Sequence, residues 1–177
     1  MSLYQRAGIL DTACRAENGI WGGIESGKLA GFFPGKNGPQ TFGMVRGIQA
    51  EIADKTQQSV TVGIAAYPII SYARSDILTN AAKALDHAVF FGPNSAVIFD
   101  SVSLNISGDK LFDRGDIPAA IEELKTALEL DPSNVNVHNS LGVCFGIQGE
   151  YAPALEAFKT AIALEPGEYM ALYNLGL

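Results

Sequence analysis

The sequence predicts two fold classes in one chain: an α/β domain of helices over an antiparallel sheet in residues 1–100, then an all-α array of helical repeats in residues 101–177. Three observations predict this. In the last third, Gly108, Ala120, Ala127 and Pro132 return about 34 residues later as Gly142, Ala154, Ala161 and Pro166, the length of one helix-turn-helix repeat. Before that, helical spacing and period-two alternation take turns along the chain. Charge is also uneven. Residues 1–100 hold eight acids (Asp11, Glu17, Glu25, Glu51, Asp54, Asp76, Asp86, Asp100) and eight bases, whereas residues 101–177 hold eleven acids and four bases, which places a boundary near Asp100.

In the first part, Leu3 to Ala16 has the spacing of a helix, and Ile20 to Glu25 and Lys28 to Phe33 read as two short strands around a Ser26-Gly27 turn. Pro39 to Lys55 is helical again, with Pro39 near the first turn, where its missing N–H removes no helical bond. Val60, Val62, Ile64 and Ala66 alternate with Thr61, Gly63 and Ala65 as a strand. Ser75 is placed to cap a helix running to about Phe91, Gly92 ends it, and Ala96 to Phe99 forms a last strand.

In the second part the first repeat spans residues 101–134, the second 135–168, and the first helix of a third begins at 169. Leu141, Gly142, Phe145, Ala154, Phe158, Ala161 and Pro166 make the second the cleaner copy. Gly142 and Ala154 let the paired helices approach, Phe145 and Phe158 fill the space between them, and Pro166 stops the second helix. The first repeat has Leu104 and Ser107 at two of these phases but keeps Gly108, Leu111, Gly115, Ala120, Leu124, Ala127 and Pro132. Asp116-Ile117-Pro118 is a good helix start, because Asp caps and Pro suits the first turn.

These positions resemble the tetratricopeptide (TPR) repeat, whose arrays usually bind other proteins. The resemblance implies a concave groove lined by fixed positions of each first helix. In this chain they are Val102, Asn105, Asp109, Phe112 and Asp113, then Asn136, Asn139, Val143, Gly146 and Ile147, then Met170 and Tyr173. TPR proteins that grip a C-terminal carboxylate place Lys and Arg at several of these positions, and none occurs here, which argues against a charge-assisted carboxylate clamp. A groove of Asn, Asp and apolar residues suits an extended peptide or a helix. The competing expectation is that the same residues only cap or stack the array.

Val60-Thr61-Val62-Gly63-Ile64-Ala65, followed by Ala81 to Asn94, resembles the C-terminal part of a GGDEF domain, the diguanylate cyclase family, in truncated form over roughly residues 5–100. The resemblance implies acidic residues and magnesium acting on GTP. The departures imply loss of that activity. At the signature the chain reads Glu25-Ser26-Gly27-Lys28-Leu29, with Gly27 and Lys28 in place of the acidic pair, and a cation there repels magnesium. Val89 stands for a phosphate-contacting Lys and Pro93 for an Arg, and Ala16-Glu17-Asn18-Gly19 lacks the Arg and Asp of the cyclic di-GMP inhibitory site. The family's first strand has no counterpart before Leu3. A sheet without a central strand leaves unpaired backbone or apolar surface, and homodimerisation is one remedy.

Other motifs carry less. Gly22 to Leu29 matches a phosphate-loop pattern until Leu29, where Ser or Thr should stand, and Lys28 feeds an apolar strand-like stretch rather than a helix. His87 and His138 have no triad or metal pattern and read as surface or helix-packing residues. Trp21 reads as a core or edge aromatic, and Glu122-Glu123 as a solvated helix face. Cys14 and Cys144 are far apart without a CxxC grouping, which fits two small buried hydrophobes and signals no zinc site or disulfide framework.

At 177 residues with 47% hydrophobic and 18% charged content, the composition is that of a folded globular protein. No apolar run reaches the ~20 residues of a membrane span, and no basic segment followed by an apolar stretch opens the chain, so a cytoplasmic location is expected. An acidic array repels phosphate, so no nucleic-acid partner is expected, and a basic or apolar protein surface is the easier one. Met1-Ser2-Leu3 has the look of an expression leader and Leu177 falls within a repeat, so a fragment of a longer protein is expected. The reading that fits these features is a scaffold, not an enzyme and with no cofactor, in which the TPR groove binds a partner protein beside a catalytically inactive GGDEF-like domain. A second reading keeps GTP or cyclic di-GMP as an effector. An active cyclase is the reading the residues oppose, since metal ligands and phosphate-contacting Lys are missing together.

Overall fold

A computed structural model describes residues 3–25 and 27–176, and they fall into two compact units divided between Phe99 and Asp100. The elements of the first unit are helix α1 (Leu3–Ala16), strands β1 (Ile20–Glu25) and β2 (Lys28–Phe32), helix α2 (Gly38–Thr56), strand β3 (Val62–Ile64), a short 3-10 turn (Arg74–Asp76), helix α3 (Ile77–Val89) and strand β4 (Ala96–Ile98).

α1 buries Ile9 and Cys14. It ends where Asn18 takes positive φ and the Gly19 N–H donates to the Cys14 carbonyl. β1 and β2 then pair as an antiparallel hairpin in the register Ile20↔Phe32 to Glu25↔Lys28, with a bulge between Gly23 and Glu25. Gly27 closes the turn at φ 79, a conformation that glycine takes without strain. Ser26, the other expected turn residue, lies outside the described residues. α2 starts with a capping box: the Asn37 side chain accepts from the Gln40 N–H and the Gln40 side chain accepts from the Asn37 N–H. From its buried side, Gln49 donates to the carbonyls of both Val60 and Ser95, which ties α2 to the starts of β3 and β4.

β3 and β4 pair in parallel, Val62↔Ala96 to Ile64↔Ile98, and α3 crosses between them. α3 lies directly on β3, because a Cβ on Gly63 would collide with the Ala81 carbonyl and the Leu85 backbone. Two corrections to the sequence reading follow. A single antiparallel sheet is not formed: the hairpin and the β3–β4 pair are separate two-stranded sheets, and the second is parallel. The physical reason is the helical crossover, which returns the chain in the same direction, whereas only a tight turn reverses it. Ser75 also does not cap α3. Asp76 accepts from the Ala73 N–H and Ser75 donates to Asp76, so the helix opens through the 3-10 turn.

The second unit is all helix: α4 (Ser101–Asp113), α5 (Ile117–Leu130), α6 (Val135–Ile147), α7 (Tyr151–Leu164) and α8 (Tyr169–Leu175). Side chains cap four of them. Asp100 accepts from the Ser103 N–H, Asp116 from Ala119, Asn134 from Val137 and Glu168 from Met170. α4 packs on α5 and α6 on α7, and the glycines explain how closely. A Cβ on Gly108 would lie 2.9 Å from Leu124, and one on Gly142 would enter the Phe158 ring. Leu104, Leu124, Val137 and Leu141 bury the space between the helices, and Ala171 of α8 closes a core with Ala154, Phe158 and Ala161. Surface pairs repeat with the same period: Glu122–Lys125 and Glu156–Lys159, each contributing little at such exposure.

Candidate functional site

The inner face of the repeat unit is built by its odd-ranked helices. α4 packs beside α6 and α6 beside α8, whereas α5 and α7 are less closely joined, so the first helices form the tighter layer, the one the expected groove would line. Residues on one face of a helix recur every three or four positions. That spacing brings Val102, Asn105, Asp109, Phe112 and Asp113 along α4, Asn136, Asn139, Val143, Gly146 and Ile147 along α6, and Met170 and Tyr173 along α8.

Their accessibility differs. Val102, Asp109, Asp113, Asn136, Ile147, Met170 and Tyr173 are exposed, with Ile147 at 60% and Tyr173 at 69%. Asn105, Phe112, Asn139, Val143 and Gly146 are half-buried. Val143 packs against the Ala154–Phe158–Ala171 core and so helps hold α8 in place.

Two hydrogen-bonded links cross between helices on this face. Ser140 donates to one oxygen of Asp109 at 3.1 Å while Asn105 donates to the other at 3.0 Å, which joins α4 to α6. Asn174 donates to Asn139 at 3.1 Å, which joins α6 to α8. Sequence reasoning missed Ser140 and Asn174. Each sits one residue beyond an inner position and bonds to the first helix of the repeat before it, and that adjacency was the only signal. Crowding around Asp109 raises its carboxyl above the ordinary range; desolvation dominates, the Ser140 bond opposes it and the Asp113 charge adds to it. Behind the face, burial and the negative Asp109 push the Cys144 thiol up to about 11. Asn105 Oδ1 is buried without a donor.

Among the described residues, the motifs of the first unit do not converge on a site. Lys28 opens β2 and pairs with Glu25 across the turn at 2.8 Å, so its ammonium is held by its own hairpin. Val89 and Pro93 border a shallow depression of about 300 Å³ with Ser59, Thr61 and Gly92. The buried His87 packs against the exposed ring of Phe91, and His138 meets the Pro132 carbonyl through Nε2. The Trp21 indole donates to Asp11, and this bond, ahead of Arg15, holds the Asp11 carboxyl below its usual range. Cys14 and Cys144 are both buried. Among the described residues, no helix is long and apolar enough to cross a membrane.

Comparison with known proteins agrees with the repeat geometry. A TPR repeat model matches residues 108–146 and a tetratricopeptide repeat model matches residues 148–177, which supports the TPR reading of the second unit. The GGDEF resemblance of the first unit finds no support among the family models. No curated protein matches the chain.

Proposed function

We propose that this chain is a protein-interaction module in which the inner face of α4, α6 and α8 binds a segment of a partner protein. The observation that carries this reading is the row of exposed side chains on that face, apolar at Val102, Ile147, Met170 and Tyr173, supported on repeats whose opposite side forms the core. A rigid scaffold behind the face lowers the ordering cost of binding. The reading is tested by placing a photo-crosslinking amino acid at Ile147 or Tyr173, and at Glu156 on α7 as a comparison. Partner adducts at the inner positions and none at Glu156 are expected; equal labelling at all three would refute a specific inner surface.

The same reading makes residues 1–99 a non-enzymatic companion unit that self-associates. What supports it is β1, exposed at all six positions, with Ile20, Trp21, Ile24 and the opposing Phe32 of β2 open to solvent. Sedimentation of the whole chain is expected to show a dimer, and incubation with GTP and magnesium no product. A monomer would remove the self-association, and turnover the non-enzymatic role.

A further inference from the structure

We infer that the inner face selects a cationic segment, one in which a Lys or Arg seats at Asp109 and Asp113 while neighbouring apolar side chains lie along Ile147, Met170 and Tyr173. The inference rests on the reading that this face is the docking surface and adds the chemistry of its partner. The inner row carries two carboxylates and no Lys or Arg. Lys110 falls outside it by helical phase, and Arg114 follows the end of α4 as its C-cap.

On the inner face the α4 end carries the carboxylates of Asp109 and Asp113 beside the Asn105 amide. Asp109 and Asp113 stand one turn apart, near enough for the second charge to act on the first. Asn105 spends its N–H on Asp109 and leaves Oδ1 buried with no donor. The exposed carboxylates of Asp109 and Asp113 are completed by a group that brings several N–H bonds and positive charge together, as guanidinium and ammonium do. The rest of the unit repeats the preference, with eleven acids against four bases in residues 101–177, so anionic segments are repelled before contact. The exposed Ile147, Met170 and Tyr173 on α6 and α8 supply the apolar area that two surface ion pairs alone would lack.

An array of random 12-residue synthetic peptides probed with the full chain tests this, followed by titration of the best-binding labelled peptide. Bound peptides are expected to be enriched in Lys or Arg beside apolar residues. The affinity should fall on the order of tenfold in Asp109→Asn/Asp113→Asn and weaken with salt. It should stay unchanged in Glu156→Gln/Glu165→Gln, which removes equal charge from the outer helix. Asp113→Asn alone, at an exposed position, should give a partial loss, and it substitutes for the double variant if that variant melts early. Binding without cation enrichment, or equal losses in the two double variants, overturns the inference. If that binding is abolished by Ile147→Glu and Tyr173→Glu, the docking surface itself stands. Peptides indifferent to Ile147→Glu and Tyr173→Glu, or no bound peptide at all, overturn both.

Discussion

Asp109 shows how one residue can be a burden to its own unit. Its folded-state pKa is raised, so protonation favours the fold: that stability is present below the unfolded value of about 4 and is lost as pH rises through the folded pKa. Asp109→Asn removes the desolvated charge and keeps an acceptor for Ser140, while its new amide donor takes the place of the oxygen that accepts from Asn105, a bond that is remade only when the Asn105 amide turns over. Thermal melts at pH about 7 are expected to show a higher Tm for the variant, and melts at pH about 4.5 a smaller advantage. A lower Tm at neutral pH would mean that the hydrogen bonds to the carboxylate outweigh its desolvation. Two glycines of α6 make a second comparison. Alanine is the better helix former by up to about 1 kcal/mol, but at Gly142 its methyl meets the Phe158 ring, and overpacking costs about 1–3 kcal/mol. At Gly146 nothing lies in the way. Gly142→Ala should therefore lower stability to denaturant and Gly146→Ala raise it.

At the scale of elements, α2 depends on its first turn. The Asn37–Gln40 capping box satisfies two N–H groups that have no intrahelical partner, and Pro39 fills a position that needs none. Asn37→Ala is expected to destabilise by about 0.5–2 kcal/mol in a urea titration, whereas Gly43→Ala or Gly47→Ala, at open positions inside the same helix, should stabilise by about 0.5–1 kcal/mol. If Asn37→Ala were neutral, the anchoring of α2 would lie with Gln49 and its two loop carbonyls. α3 presses on β3 at Gly63, whereas in the hairpin α1 approaches β2 at Gly31 through Leu10 and Cys14 and all six residues of β1 stay exposed.

For the whole molecule, coupling in the second unit should be one-dimensional, since each repeat touches only its neighbours. Ala171 is the peg by which α8 joins the Ala154–Phe158–Ala161 core, and Ala171→Asp places a charge there without a partner. Hydrogen exchange should rise along α8 and α7 and change little along α4 and α5; a uniform rise would show that the unit unfolds as one body. In that unit the sequence was sufficient for the helices and their close contacts, because the period places Gly108, Gly142, Ala154 and Phe158 by local rules of spacing and volume. Asp116 before Pro118 announced a helix start that the Ala119 N–H confirms. In the first unit, sequence patterns located β1 to β4 to within a few residues and paired β1 with β2 as a hairpin, but not β3 with β4, so the expected single antiparallel sheet became a hairpin and a separate parallel pair. The difference is one of range. Periodicity, caps and turn residues act over a few positions and can be read from the chain, whereas strand pairing, the Ser140–Asp109 and Asn174–Asn139 bonds and the orphaned Asn105 oxygen arise only when distant segments meet in the folded structure.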